Sequence, residues 1–128
     1  MYWEHMEKAY FIGRVTRDLK LTYLNSGMAK GEFGIAVQKS IKKGDSYEKK
    51  VSFYNIETWG KDAEGLQHEI KKGVLVHVCA EIENNTWEKD GKSYNKIIFK
   101  AERVLTKDVS HRQSMKEEFD DFKDDIPF

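Results

Sequence analysis

Apolar residues recur at every second position through most of residues 8–105, and that period commits the chain to strands. A first strand is expected near Ala9 to Val15, resuming after a bend through Lys20–Leu24. Asn25-Ser26-Gly27 signals a turn. Phe33, Ile35 and Val37 alternate with Gly34, Ala36 and Gln38 in a second strand. Lys42-Lys43-Gly44-Asp45-Ser46 reads as a polar loop, followed by a third strand over about Lys50 to Trp59. The alternation fails once: in Lys61–Lys72, Ala63, Leu66 and Ile70 take helical spacing, and Gly73 supplies a stop. Val74, Val76, Val78, Ala80 and Ile82 then share one face of a fourth strand. Asp90-Gly91 is a hairpin signal, and a fifth strand spans about Ser93 to Leu105. Three strands, a helix and two strands is the order of an all-β OB-fold: a five-stranded Greek-key barrel with one helix between strands 3 and 4.

The 128 residues fit one such domain. The net charge of zero hides two opposed parts. Residues 1–107 carry 19 Lys+Arg against 15 Asp+Glu, and residues 108–128 carry 3 against 7. The chain therefore divides into a mildly basic barrel, 1–107, and a short acidic C-terminal tail, 108–128. No apolar run approaches the roughly 20 residues that span a membrane. Met1–Met6 has no basic start or apolar core, so no secretory signal is expected. Cys79 is the only cysteine; no internal disulfide can form, in keeping with a cytoplasmic setting. Neither zinc spacing nor a nucleotide-binding or nucleophile motif is present, so neither metal, cofactor nor enzymatic activity is expected.

Aromatic side chains carry the functional signal. Tyr54 and Ile56 suit the barrel interior, which turns Phe53 and Trp59 outward on the opposite phase. Trp87 lies near the tip of the last hairpin, a poor place to bury an indole. Exposed rings beside lysines stack unpaired bases whatever their sequence. Lys42, Lys43, Lys49 and Lys50 on the second-to-third connection, with Lys89, Lys92 and Lys96 on the last hairpin, stand where phosphates would run. Ordinary packing and ordinary solubility are the plain alternatives for these rings and lysines.

Several segments together resemble the bacterial single-stranded DNA-binding protein family: Phe11 through Asp18, Tyr23 through Val37, Val51 through Lys61, Lys72 through Glu83 with Trp87, and Asp124-Asp125-Ile126-Pro127-Phe128. The resemblance implies an OB-fold that protects single-stranded DNA in replication, recombination and repair, assembled as a homotetramer. It implies stacking roles for Phe53, Trp59 and Trp87. Two departures are visible: a family tryptophan would fall near Ile41, implying weaker stacking there, and Leu19 replaces the usual proline, implying a less rigid first bend. An RNA-binding or cold-shock-like OB module, and a scaffold that binds only protein, are the alternatives.

The last five residues match the family's C-terminal tip. Phe128 offers a ring and a terminal carboxylate, Ile126 an apolar contact, Pro127 stiffness, and Asp124 and Asp125 charge. Together they suit a small apolar pocket with a basic rim on a genome-maintenance protein. The same charge would let the tip compete with DNA for the basic surface. Ser114 through Glu117 resembles a capping box, but a solvated coil is the favoured reading of 108–119.

Overall fold

The structure, a computed structural model, describes residues 5–106. The expected boundary near Lys107 and the tail with its tip lie outside the described residues. The chain runs β1 (Lys8–Tyr23), β2 (Ala29–Lys43), β3 (Ser46–Trp59), α1 (Gly60–Leu66), β4 (Leu75–Lys89) and β5 (Lys92–Thr106). The strands close in the order β1-β2-β3-β5-β4, with β4 returning to pair with β1. This is the five-stranded barrel with one helix between β3 and β4 that the element order implies.

Phe33, Ile35, Ile56, Ile70, Val76 and Val78 are fully buried and form the centre of the core. Each such side chain stabilises the fold by about 1.5–3 kcal/mol relative to its exposed state. The bend in β1 follows from register shifts between Val15 and Arg17 and between Arg17 and Lys20, which carry the strand from β4 to β2. Leu19 sits in this bend, buried, and its N–H donates to the Ile70 carbonyl at 3.1 Å. A proline has no such donor. The expected loss of rigidity is therefore offset by a hydrogen bond that only the replacement makes.

The helix is shorter than its spacing predicts, ending at Leu66 rather than Lys72. Two causes are visible. Gly65 weakens the helix, and β1 captures the backbone beyond it. Leu19 holds the Ile70 carbonyl, Asp18 accepts from the Lys72 N–H at 2.8 Å, and Gly73 donates to the Val15 carbonyl at 2.8 Å. Ala63 and Ile70 still plug the barrel end, one from the helix and one from the turn after it.

The second-to-third connection also differs from expectation. Lys42 and Lys43 end β2, Ser46 begins β3, and only Gly44-Asp45 turns. β2 and β3 pair without a break from Lys30↔Trp59 to Lys43↔Ser46. β4 and β5 make a second long hairpin through Asp90 (φ 53°) and Gly91 (φ 76°), the doubly positive pair that a type I′ turn requires.

Candidate nucleic-acid interface

The two hairpins share one sheet, because β3 pairs with β5 at Ile56↔Phe99 and Glu57↔Lys100. Beyond those pairs they diverge, and a groove of about 290 Å³ opens between them. Phe11, Tyr54 and Phe99 pack tilted and edge-on, with centroids 4.8–5.7 Å apart, and the latter two line the groove. Side chains alternate across the sheet, so residues paired with Phe53 or Lys100 and their second neighbours face outward together.

That outward face collects the rings. On β3 it carries Phe53 and Trp59; on β4, Trp87; on β5, Tyr94, which faces Trp87 directly in register. Phe53 is 71% exposed. Trp87 and Tyr94 are 46% and 43% exposed and stack on each other, with centroids 5.8 Å apart and planes 18° from parallel. Such a pair is held by its own offset-stacking preference. Each ring supports the other and leaves part of its surface open.

Trp59 differs from the other two rings expected to face outward. It is half-buried, and the ammonium groups of Lys30 and Lys100 each lie 5.5 Å from its ring centre. A cation at that distance is attracted by the ring face. Lys30 also pairs with Glu32 at 3.0 Å and Glu57 at 3.7 Å, and Lys100 with Glu83 at 3.8 Å. This end of the face is a ring with cations held against it, and those cations are largely neutralised.

The lysines divide by phase. Lys42, Lys49, Lys89, Lys92 and Lys96 share the ring face, and among the described residues none of them has a carboxylate within ion-pair distance. Lys43 and Lys50 take the other phase of the β2–β3 hairpin, and Lys43 faces Glu48 at 3.7 Å. Arg17, which the sequence reading passed over, joins the ring face. Its guanidinium lies over Gly34 and donates to Asn55 Oδ1 at 3.1 Å. A Cβ at residue 34 would stand 2.6 Å from that guanidinium, so the glycine is what lets the arginine lie flat on the sheet. Lys30, Lys100 and Tyr94 were also missed. Only Tyr94 left a local signal, since a two-residue Asp90-Gly91 turn places 94 opposite 87.

The Lys30–Glu32 pair sets the charge beside Trp59. A hydrogen bond from Lys30 lowers the Glu32 pKa, and the same bond raises that of Lys30. The stabilisation tied to Glu32 is present above the ordinary carboxylate range and is lost as pH falls through the lowered folded value. Replacing Glu32→Gln releases Lys30 from its nearer partner. Oligo-dT affinity should rise severalfold at low salt and the gain should shrink at high salt, as titrations at two ionic strengths would read.

A larger hollow of about 430 Å³ lies between α1 and β5. Lys61, Arg103, Asp62, Glu69 and Glu102 are among its lining residues, and no exposed ring lines it. Among the described residues no group of three or more His, Cys, Asp or Glu could hold a metal ion, and no helix is long and apolar enough to cross a membrane. Burial pushes the Cys79 thiol up, away from the lowered values that mark reactive cysteines.

Comparison with known proteins decides the relationship. The sequence profile of the single-strand binding protein family matches residues 6–113. The chain belongs to the single-strand binding protein family. Among its relatives in that family, a single-stranded DNA-binding protein of Treponema pallidum is 34% identical over 93 residues, covering 73% of this chain and 53% of that protein. One from Aquifex aeolicus is 34% identical over 100 residues, covering 77% and 68%. The chain thus spans about half the length of the Treponema relative. The fold agrees with a Plasmodium falciparum single-strand binding protein solved with single-stranded DNA, at TM-score 0.68, 18% identity and coverage of 84% and 100%. It also agrees with the wild-type Thermus aquaticus protein, at TM-score 0.72, 22% identity and coverage of 81% and 51%.

Proposed function

We propose that this chain binds and protects single-stranded DNA without regard to sequence. The observation that carries the reading is one outward face bearing Phe53, Trp87 and Tyr94 among five lysines that have no carboxylate within ion-pair distance among the described residues. Stacking rings accept any base, and lysines follow phosphates without reading sequence. Family membership supports the same class of ligand. Phe53 and Trp87 stack bases. Trp59 contributes mainly by seating Lys30 and Lys100 beside the strand. Lys42, Lys49, Lys89, Lys92, Lys96 and Arg17 meet phosphates, and Lys43 and Lys50 add to the field from the other side. The protein acts by binding, not by catalysis. Four copies assembled as a homotetramer would let one DNA strand visit several faces in turn. Asp124, Asp125, Ile126, Pro127 and Phe128 dock replication, recombination and repair proteins.

Titration with oligo-dT tests the central claim. Tryptophan fluorescence should fall as DNA binds, and oligo-dT should be preferred over an RNA homopolymer of equal length. Equal or tighter RNA binding would favour an RNA-binding module. An unchanged emission at saturating oligo-dT would leave the protein-scaffold reading standing.

A further inference from the structure

Tyr47 is as exposed as Phe53, at 71%, and the fold makes no use of it. It stands second in β3, beside the Gly44-Asp45 turn, on the outward phase that carries Phe53 six residues on. The β2–β3 register runs unbroken between the two positions. Six strand residues at about 3.3 Å each put Tyr47 roughly 20 Å beyond Phe53 along the hairpin. Val51, exposed, lies on the same face between them.

Its neighbours identify what the ring would meet. Lys42 lies directly across the ladder and Lys49 is next on the same strand face, neither with a carboxylate within ion-pair distance among the described residues. Lys39 and Lys50, opposite one another, add positive charge on the reverse side, while Glu48 is turned to Lys43. A second copy of this hairpin would set like charges against each other. A polyanion with flat apolar faces matches both features at once.

We propose that Tyr47 is a further base-stacking position, reached by a strand that has passed over Phe53 and runs on toward the hairpin tip, with its phosphates beside Lys42 and Lys49. The inference rests on the proposed binding of single-stranded DNA. It also changes what Ile41 implies: Ile41 pairs with Glu48 on the reverse phase, and the ring for this end of the face comes from β3 instead. The platform is longer than Phe53, Trp59 and Trp87 alone would make it.

A length series of oligo-dT tests this with the full chain and Tyr47→Ala, Tyr47→Phe and Phe53→Ala variants. Tyr47→Ala should bind the shortest oligonucleotides like the wild type and lose about fivefold to a hundredfold on the longer ones. Tyr47→Phe, which keeps a ring, should restore most of the loss. Phe53→Ala should weaken binding at every length, which separates the parent reading from this one. Wild-type affinity for Tyr47→Ala at all lengths overturns the proposal while leaving Phe53 in place. A change in subunit number without a change in affinity per subunit also overturns it, by assigning the ring to a protein contact.

Discussion

A tenfold rise in salt, from about 50 mM to about 500 mM, should weaken oligo-dT binding by roughly four orders of magnitude. Each phosphate neutralised on a single strand contributes a slope of about −0.7 in log affinity against log salt. On the ring face of the two hairpins, Lys42, Lys49, Lys89, Lys92 and Lys96 have no carboxylate within ion-pair distance among the described residues. These five contacts and Arg17 give a slope near −4.2 per subunit, or about 16,000-fold over that range. Lys30 and Lys100 are left out of the count because Glu32, Glu57 and Glu83 already hold them. Lys43 and Lys50 are left out because they point to the other side of the hairpin. Fluorescence titrations at four or more salt concentrations would measure the slope, and Lys96→Ala should make it shallower by about 0.7. A slope near zero would mean that the lysines serve solubility and that phosphate is not what they meet.

The net charge of the whole chain gives no hint of this behaviour, since the tail cancels the barrel. What matters is which lysines share a face with the rings. That depends on register, and register was only partly legible in the sequence. Period-two alternation was enough to place five strands, and Tyr54 and Ile56 were correctly assigned inward, which fixed Phe53 on the outside. Asp90-Gly91 marked the last hairpin to the residue. Where the turn was misjudged, the face was lost. Reading 42–46 as a loop hid the fact that Gly44-Asp45 alone turns the chain, and with it the pairing that sets Tyr47 opposite Lys42.

Non-local pairings explain the remaining gaps. Nothing near Trp59 in sequence announces Lys30 or Lys100, which reach its ring from β2 and β5. Arg17 sits at a register shift in β1, and its place over Gly34 depends on a strand pairing that a period count does not resolve. The helix was overestimated for a related reason. Ala63, Leu66 and Ile70 do keep helical spacing, and the N–H groups of Gln67, Glu69 and Ile70 still bond back to Glu64 and Leu66, but the Ile70 carbonyl and the Lys72 and Gly73 N–H groups go to β1, so no further helical turn forms. Tertiary hydrogen bonds override a seven-residue helix with no side-chain cap at its start.

Trp87→Ala should weaken oligo-dT binding by about 1–3 kcal/mol, the range for removing one stacked base partner. The indole is exposed on the β4–β5 hairpin and is already braced by Tyr94 at 5.8 Å, so little of its freedom remains to be lost when a base arrives. The substitution also strips Tyr94 of its partner, and the measured loss therefore includes both rings. Tyr94→Leu separates them: it keeps an apolar cross-strand contact while removing the ring that holds the indole plane. Its loss should be smaller than that of Trp87→Ala, and the double variant should lose less than the sum, because the two rings form one unit. Thermal melts should stay close to the wild type for both single variants, since neither side chain belongs to the core around Phe33 and Ile56. Wild-type affinity in a folded Trp87→Ala variant would remove the hairpin tip from the DNA path. The strand would then have to follow Phe53 and the groove beside Arg17 and Lys96, where the lysine count predicts a much shallower salt slope.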